Sequence, residues 1–214
     1  MSDQMDTEKQ RASAWFRELR DQIVAAFEGL EDSHSEGPFA DQGAGQFEVS
    51  ETKRSSADGS DAGGGLMSVM RGGRVFEKVG VNVSTVYGEL GERAQNAMAA
   101  RKGLPGMKED PRFWASGISL VAHMQNPHCP AVHMNTRLFW TPHGWWFGGG
   151  SDLNPCLEYD EDTAHFHGVQ KAHCDAHGEA HYPRLQAWAD EHLYIPHRTR
   201  DRRVGGIFVA DQKT

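Results

Sequence analysis

The chain has 214 residues, a formal net charge of −8 and 38% hydrophobic residues, which is enough apolar material for one domain with a buried core. It contains no run of about 18 apolar residues, so the sequence excludes a transmembrane helix. The negative charge argues against a broad surface for nucleic acid or anionic membranes.

The N-terminus and the cysteines indicate a cytoplasmic protein. The first six residues are acidic and lack the apolar segment of a secretory signal. Cys129, Cys156 and Cys174 are odd in number and form no Cys-x-x-Cys pair. They predict reduced thiols rather than a disulfide framework.

The first part of the chain predicts one helix, a polar segment and a hairpin. Apolar residues recur every four positions within residues 8–30, a spacing typical of an amphipathic helix: Trp15, Leu19, Ile23 and Phe27, with Phe16 and Val24 beside them. Residues 31–65 are rich in Ser, Gly and acidic residues and are expected to be partly flexible, although residues 46–51 alternate like a strand. The glycine run at 63–65 lacks the Lys-Ser/Thr of a phosphate-binding loop and predicts a flexible turn. Residues 66–70 and 74–83 predict two strands joined at Arg71-Gly72-Gly73.

The remaining elements predict an α+β domain that spans residues 1–214. Helices are expected at 89–100, 161–177 and 182–193, and strands at 118–123, 131–140, 145–147 and 205–209. Hairpin-linked strands followed by helices favour a large, mostly antiparallel sheet flanked by helices.

Two of these strands predict a polar sheet face. Strand alternation places a set of hydrogen-bonding side chains on one side: Ser119, His123, His133, Asn135 and Arg137. Burying such a face is costly without a partner, so it favours a cavity for an anionic ligand that Arg137 can clamp. The alternative is a solvated face, which antiparallel sheets allow.

The segment Trp-Trp-Phe-Gly-Gly-Gly-Ser-Asp-Leu-Asn-Pro at 145–155 is the second candidate. Its aromatic residues could form the floor for a flat ligand, and its glycines would permit close approach. Asp152 could accept N–H bonds from that ligand or balance a developing positive charge. A glycine-rich turn, with Asp152 as a helix cap or in an Asx-turn, explains the same residues.

Histidine is unusually abundant, because eleven of the twelve lie between His123 and His197. Such crowding favours metal binding, proton transfer or anion binding. A helix at 161–177 directs His165 and His167 to different sides, so only one of them would face the site.

The longest motifs resemble the oxygen-dependent coproporphyrinogen III oxidase family. They are His-Met-Asn-Thr-Arg at 133–137 and the segment at 145–155, supported by residues 74–82, 119–123, 182–184, 195–198 and 204–208. The resemblance implies the fold of that family and the aerobic conversion of two propionates of coproporphyrinogen III to vinyl groups. The product would be protoporphyrinogen IX, in haem biosynthesis.

The resemblance also implies roles for particular residues. Substrate contacts would be Ser119, Asn135, Thr136 and Arg137. His133 would donate a proton, and Asp152 would lie near the pyrrole N–H groups. Four positions match metal ligands of bacterial members, for a divalent ion such as manganese: His123, His133, His165 and His197. Molecular oxygen would be the co-substrate, without flavin or nicotinamide, and the protein would be a homodimer with no nucleic-acid partner.

The family pattern continues well past residue 211, so the resemblance implies that the C-terminal part of the domain is missing and that dimerisation is weakened. A non-catalytic porphyrin-binding remnant is therefore an alternative to the oxidase. A cupin-like metal enzyme, suggested by the histidines alone, is a second alternative.

Overall fold

A computed structural model describes residues 2–102, 104–178, 181–195, 200–201 and 204–212. Its helices are α1 (Ser2–Ser33), α2 (Glu92–Lys102), α3 (Asp160–Asp175) and α4 (His181–Leu193), with a short 3-10 helix at Pro105–Lys108. Its strands are β1 (Glu48–Ser55), β2 (Asp61–Arg71), β3 (Phe76–Glu89), β4 (Arg112–Met124), β5 (Ala131–Thr141), β6 (Gly144–Asn154), β7 (Tyr194–Ile195), β8 (Arg200–Asp201) and β9 (Gly205–Gln212). None of the described helices is long and apolar enough to cross a membrane.

Seven of the described strands form one antiparallel sheet in the order β1-β2-β3-β4-β5-β6-β9, and β7 pairs with β8 separately. Chain neighbours are sheet neighbours from β1 to β6, and α3 and α4 fill the longer connection to β9. The predicted α+β architecture with a large antiparallel sheet flanked by helices is confirmed.

Helix α1 lies across one face of the sheet, but the apolar stripe differs from the predicted one. Phe16 is 3% exposed in the core, whereas Trp15 is 50% exposed. The reason is geometric, because each residue turns the helix by about 100°. Phe16 is then only about 20° from the direction of Phe27, while Trp15 is about 120° away. The prediction that Trp15 belongs to the packed stripe is wrong.

The face of the sheet under α1 forms the main core. Alternate residues of β3 and β4 are buried there: Val79, Val81, Val83, Ile118, Leu120 and Ala122. A second cluster lies between α3, α4 and β9, where Cys174, Tyr182 and Leu185 pack with Ile207 and Val209. Both clusters use the same side of the sheet, so the opposite side is left for the polar residues.

The glycine run at 63–65 is not a turn. It lies inside β2, between β1 and β3, and the hairpin that follows β2 is at the predicted place. A Cβ atom on Gly65 would lie 1.9 Å from the carbonyl oxygen of Val83. The prediction of a flexible turn was wrong because a glycine run also permits backbones to approach where no side chain fits. Strand β1 confirms the strand-like alternation that begins near residue 46.

A buried carboxylate ties the end of α1 to the sheet. Glu31 is 0% exposed. Its two oxygens accept hydrogen bonds from four backbone N–H groups: Gly45 (2.9 Å), Arg74 (2.6 Å), Val75 (3.0 Å) and Phe76 (2.8 Å). A Cβ on Gly73 would lie 2.3 Å from Glu31 Oε1, so the turn before β3 needs glycine there. Glu31 therefore connects one helix, one loop and the β2–β3 turn.

Candidate active site

The open face of the central strands carries most of the predicted site residues. Ser119 on β4 lies opposite Asn135 on β5, and His133 on β5 lies opposite Asp152 on β6. Because residues two apart in a strand share a face, six side chains project from the same side of the sheet: Ser119, His123, His133, Asn135, Arg137 and Asp152. The predicted polar face is confirmed, and Asp152 belongs to it.

Thr136 belongs to the other face of the sheet. Its register partners are Ile118 and Gly149, and Ile118 is 2% exposed in the core under α1. The strand therefore does not bring the side chain of Thr136 together with the other predicted substrate contacts.

A chain of hydrogen bonds links four of the side chains on the open face. His133 Nδ1 lies 2.8 Å from Asp152 Oδ2, and His133 Nε2 lies 3.4 Å from Asn135 Nδ2. Arg137 Nη1 donates to Asn135 Oδ1 at 3.2 Å. The chain therefore runs from a carboxylate at the Asp152 end to a guanidinium at the Arg137 end.

The hydrogen-bond partners show which atoms of the His133 imidazole and the Asn135 amide carry protons. An ionised carboxylate only accepts, so Nδ1 of His133 carries the proton that it donates to Asp152. Arg137 only donates, so the amide oxygen of Asn135 faces Arg137 and its NH2 group faces His133. Nε2 of neutral His133 is then the acceptor. An imidazolium would carry a proton at Nε2 as well.

Along this series of hydrogen bonds, the side chains become more exposed from Asp152 towards Arg137. The side chain of Asp152 is 9% exposed and that of His133 is 34% exposed, while Arg137 is exposed. The hydrogen bond to the buried carboxylate fixes the orientation of the His133 ring and keeps a proton on Nδ1. The exposed guanidinium of Arg137 presents a cation to an anionic ligand.

Glycines keep the surface beside this chain flat. Gly117 lies opposite Arg137, and Gly150 lies opposite Asn135. A Cβ on Gly117 would lie 2.6 Å from the carbonyl oxygen of Thr136, so this position excludes every larger residue unless the backbone moves. Residues 148–150 are part of β6 rather than a turn, which favours the close-approach interpretation of the glycine run.

The aromatic residues of β6 do not form an exposed floor. Trp146 is 5% exposed and stacks on Phe139, which stacks on Phe113 at one end of the same face. Trp145 and Phe147 alternate to the face of α1, and Phe147 packs against the core there. On the open face around His133, the aromatic residues of this segment therefore provide no exposed floor for a ligand.

A groove of about 1710 Å³ lies at the same strand ends as this aromatic stack, away from His133. It is lined by Trp114, Trp140 and Trp145, and Lys9 of α1 lies 3.5 Å from the ring centroid of Trp140. None of the predicted site residues lines it. The candidate site is instead the open sheet face around His133.

The four predicted metal ligands are not brought together in the part of the chain that the structure describes. His123 and His133 share the open face, but His165 is exposed on α3, and His197 lies outside the described residues. Among the described residues, no group of three or more His, Cys, Asp or Glu side chains is placed to hold a metal ion. The metal set stays a prediction.

His167 is the histidine of α3 that faces inward. Its Nδ1 lies 2.7 Å from the hydroxyl of Tyr182 on α4, and its Nε2 lies 3.0 Å from the carbonyl oxygen of Val204. Because a carbonyl only accepts, Nε2 carries the proton and Nδ1 accepts from Tyr182. The two histidines do point in different directions on the helix, but His167 packs on the side of the sheet opposite His133, so neither faces the candidate site as expected. The partners of His167 assign it a structural role.

The model of the coproporphyrinogen III oxidase family matches residues 11–214 of the chain. The chain belongs to this family. Two similar relatives are the oxygen-dependent coproporphyrinogen-III oxidases of Rickettsia bellii (strain RML369-C) and Rickettsia peacockii (strain Rustic). The first is 43% identical over 196 residues, which are 92% of this chain and 65% of the relative. The second is 40% identical over 200 residues, which are 94% of this chain and 66% of the relative.

Family membership agrees with the resemblance that the motifs on β5 and β6 predicted. The chain spans about 65% of the length of these curated relatives. The strands that carry His133 and Asp152 lie within the matched residues. The open sheet face and its hydrogen-bonded side chains therefore lie in the part of the chain that matches the coproporphyrinogen III oxidase family.

Proposed function

We propose that this protein catalyses the oxygen-dependent oxidative decarboxylation of two propionate groups of coproporphyrinogen III to vinyl groups. The observation that carries the proposal is the chain of hydrogen bonds from Asp152 to Arg137 on one flat sheet face. Coproporphyrinogen III would be the substrate and molecular oxygen the co-substrate, in keeping with the names of the relatives. The predicted homodimer and cytoplasmic location remain proposals beside it.

The substrate is a large apolar macrocycle with four carboxylates. Arg137 is exposed, and among the described residues no carboxylate lies within salt-bridge distance of its guanidinium. It can therefore bind a propionate in two parallel hydrogen bonds. The flat surface at Gly117 and Gly150 lets the macrocycle approach the backbone, and Ser119 supplies a further polar contact.

The reaction consumes protons, and His133 is the side chain proposed to supply them. Loss of two CO2 and two hydride equivalents supplies four electrons to one O2, and its reduction to two waters takes up two protons beyond those from the substrate. His133 would donate protons through Nε2, while the buried carboxylate of Asp152 stabilises the imidazolium. Asp152 thus acts on His133, in addition to the role near pyrrole N–H groups that the family resemblance implied.

The proposed reaction includes no step at a metal ion. The described residues do not fit a metal centre, since two of the four predicted ligands share the face but no third ligand lies with them. A proton donor at His133 also requires an imidazole nitrogen that is not bound to metal.

Turnover tests the proposal directly. The purified chain is incubated aerobically with coproporphyrinogen III, and the oxidised products are separated by chromatography with fluorescence detection. We expect protoporphyrin, reduced at least about 100-fold in His133→Gln because general acid catalysis contributes that much. His177→Gln, an exposed histidine just beyond the end of α3, is the control that should keep the activity. A folded chain that binds coproporphyrin without turnover would instead support the porphyrin-binding remnant.

Arg137→Gln is expected to weaken binding of coproporphyrin III about tenfold or more, because a charged hydrogen bond contributes about 1.5–3 kcal/mol. Arg137→Lys should lose less, since the charge remains and only the two-point geometry is removed. Fluorescence titration measures the affinities. Arg112→Gln, exposed at the opposite end of the strands, is the matched control with unchanged affinity. If Arg137→Gln and the parent chain bind coproporphyrin III with equal affinity, Arg137 does not contact the substrate.

A further inference from the structure

Two cysteines lie on facing loops at the end of the open sheet face. Cys129 is on the loop between β4 and β5, and Cys156 is on the loop between β6 and α3. Both thiols are free and exposed, whereas Cys174 is buried. The two exposed thiols lie far apart in the sequence, so only the fold can bring them together.

The register of β5 and β6 aligns the two cysteines. Ala131 is paired with Asn154 at the end of the ladder. One position further along each strand are Pro130 and Pro155, and the next position on each side is a cysteine. Proline has no N–H group, so a facing pair of prolines ends the ladder without changing the order of the positions. Continued past the end of the ladder, this register would place Cys129 and Cys156 at facing positions of the two loops.

A second contact closes the loops beyond the cysteines. The ring of His128 forms a short hydrogen bond from Nδ1 to the hydroxyl of Tyr159, with 6.0 Å between the ring centroids. The cysteines are thus bracketed by the Ala131–Asn154 pair on one side and by this contact on the other. The backbone N–H of Cys129 also donates to the carbonyl of Asn126 at 3.0 Å, which holds its loop in a turn.

We propose that Cys129 and Cys156 form a reversible intramolecular disulfide when the protein meets a peroxide. A disulfide needs Cα atoms within about 7 Å, a separation typical of facing positions in an antiparallel pair. One thiol attacks hydrogen peroxide to give a sulfenic acid and water. The second thiol displaces the hydroxyl group, which leaves as water, so that one S–S bond forms and two thiols lose two electrons to the peroxide.

The disulfide would join two loops next to the candidate site. Cys129 and Cys156 are four residues from His133 and Asp152 along the same strands, roughly 14 Å at 3.4 Å per residue. The bond would connect the end of β6 and the start of α3 to the β4–β5 loop. It is independent of the proposed function, because it needs only the fold and an oxidant.

Thiol counting and peptide mapping test the inference without an activity assay. The folded chain is treated with hydrogen peroxide, quenched, and digested under non-reducing conditions for mass spectrometry. We expect the free thiols to fall from three to one. The Cys129 and Cys156 peptides should be linked with a loss of two hydrogens, and dithiothreitol should restore all three thiols. The buried Cys174, whose burial raises the pKa of its thiol, should stay reduced.

Three variants separate the outcomes. Cys174→Ser should lose both remaining thiols, whereas Cys129→Ser and Cys156→Ser should form no internal disulfide under the same exposure. The urea-unfolded chain is the control for proximity and should form the link more slowly. The inference is overturned by linkage to Cys174, by dimers as the main product, by unlinked oxidation of both cysteines, or by an equal rate in urea.

Discussion

Replacing Glu31 by glutamine is expected to lower the free energy of unfolding by about 3 kcal/mol, since hydrogen bonds to a charged group contribute about 1.5–3 kcal/mol each and their loss is partly compensated. The carboxylate accepts four backbone N–H bonds from the β2–β3 turn and the loop before β1. A glutamine has one acceptor oxygen, and its NH2 group would face backbone donors. Urea unfolding measures the change, and an unchanged slope with denaturant would show that the unfolded state is unaffected.

Glu18→Gln is the matched control for Glu31→Gln. Glu18 is exposed on the same helix, and among the described residues its carboxylate accepts a hydrogen bond only from the side chain of Gln22, at 3.1 Å. Its replacement should change stability by less than about 0.5 kcal/mol, as for most surface positions. Similar small losses in both variants would show that the four N–H bonds of Glu31 are exchanged for water at little cost.

The same carboxylate predicts a pH dependence. Burial by itself would raise the pKa of Glu31, but the four backbone donors outweigh it and hold the pKa below its ordinary value of 4.5. A lowered folded-state pKa contributes stability above pH 4.5 that is lost as the pH falls through the folded-state pKa. The stability difference between the parent chain and Glu31→Gln should therefore be largest near neutral pH and shrink in acid. A constant difference over that range would contradict this.

The buried role of Glu31 was not predicted, although the sequence holds a trace of it. Glu31 follows Phe27 at the same four-residue spacing as Leu19 and Ile23, so it is an acidic residue on the packed stripe. The pattern on the helix cannot show which groups donate hydrogen bonds to that carboxylate. Three of its four donors come from a turn more than forty residues away, and only the tertiary structure brings them together.

The polar face was predictable because strand alternation and antiparallel pairing are local rules. They placed His133 and Arg137 on one side and the apolar residues of β4 and β5 on the other. Asp152 was ambiguous, since glycines at 148–150 are compatible with a turn as well as a strand. Pairing with β5 resolves it, and the bond between Asp152 and His133 depends on a register that no local pattern specifies.

The burial of Trp146 likewise could not be predicted from the local sequence. A run of aromatic residues next to glycines is consistent with a ligand floor, but aromatic rings also pack on one another across neighbouring strands. The stack of Phe113, Phe139 and Trp146 uses three strands whose order was unknown before the pairing was seen. Sequence alone could not decide between the two uses.

Asp152→Asn is expected to reduce turnover about 100-fold or more, with a much smaller effect on affinity for coproporphyrin. The amide oxygen of asparagine can still accept from Nδ1 of His133, so the geometry can remain while the negative charge is lost. Without that charge a protonated imidazole is less stable, and general acid catalysis accounts for about 100-fold or more of the rate. The reduction should therefore appear in kcat rather than KM.

Histidine NMR provides a readout of Asp152→Asn that does not need turnover. In the parent chain the nitrogen shifts of His133 should show a proton on Nδ1, as the 2.8 Å contact with Asp152 requires. In the variant the nitrogen shifts should show a smaller share of the Nδ1-protonated tautomer, because asparagine can present its NH2 group as well as its oxygen to the ring. Asp162→Asn, exposed in the first turn of α3, is the control that should leave both His133 and turnover unchanged. Unaltered nitrogen shifts of His133 together with lost turnover would instead assign Asp152 a direct contact with the substrate, such as the pyrrole N–H groups.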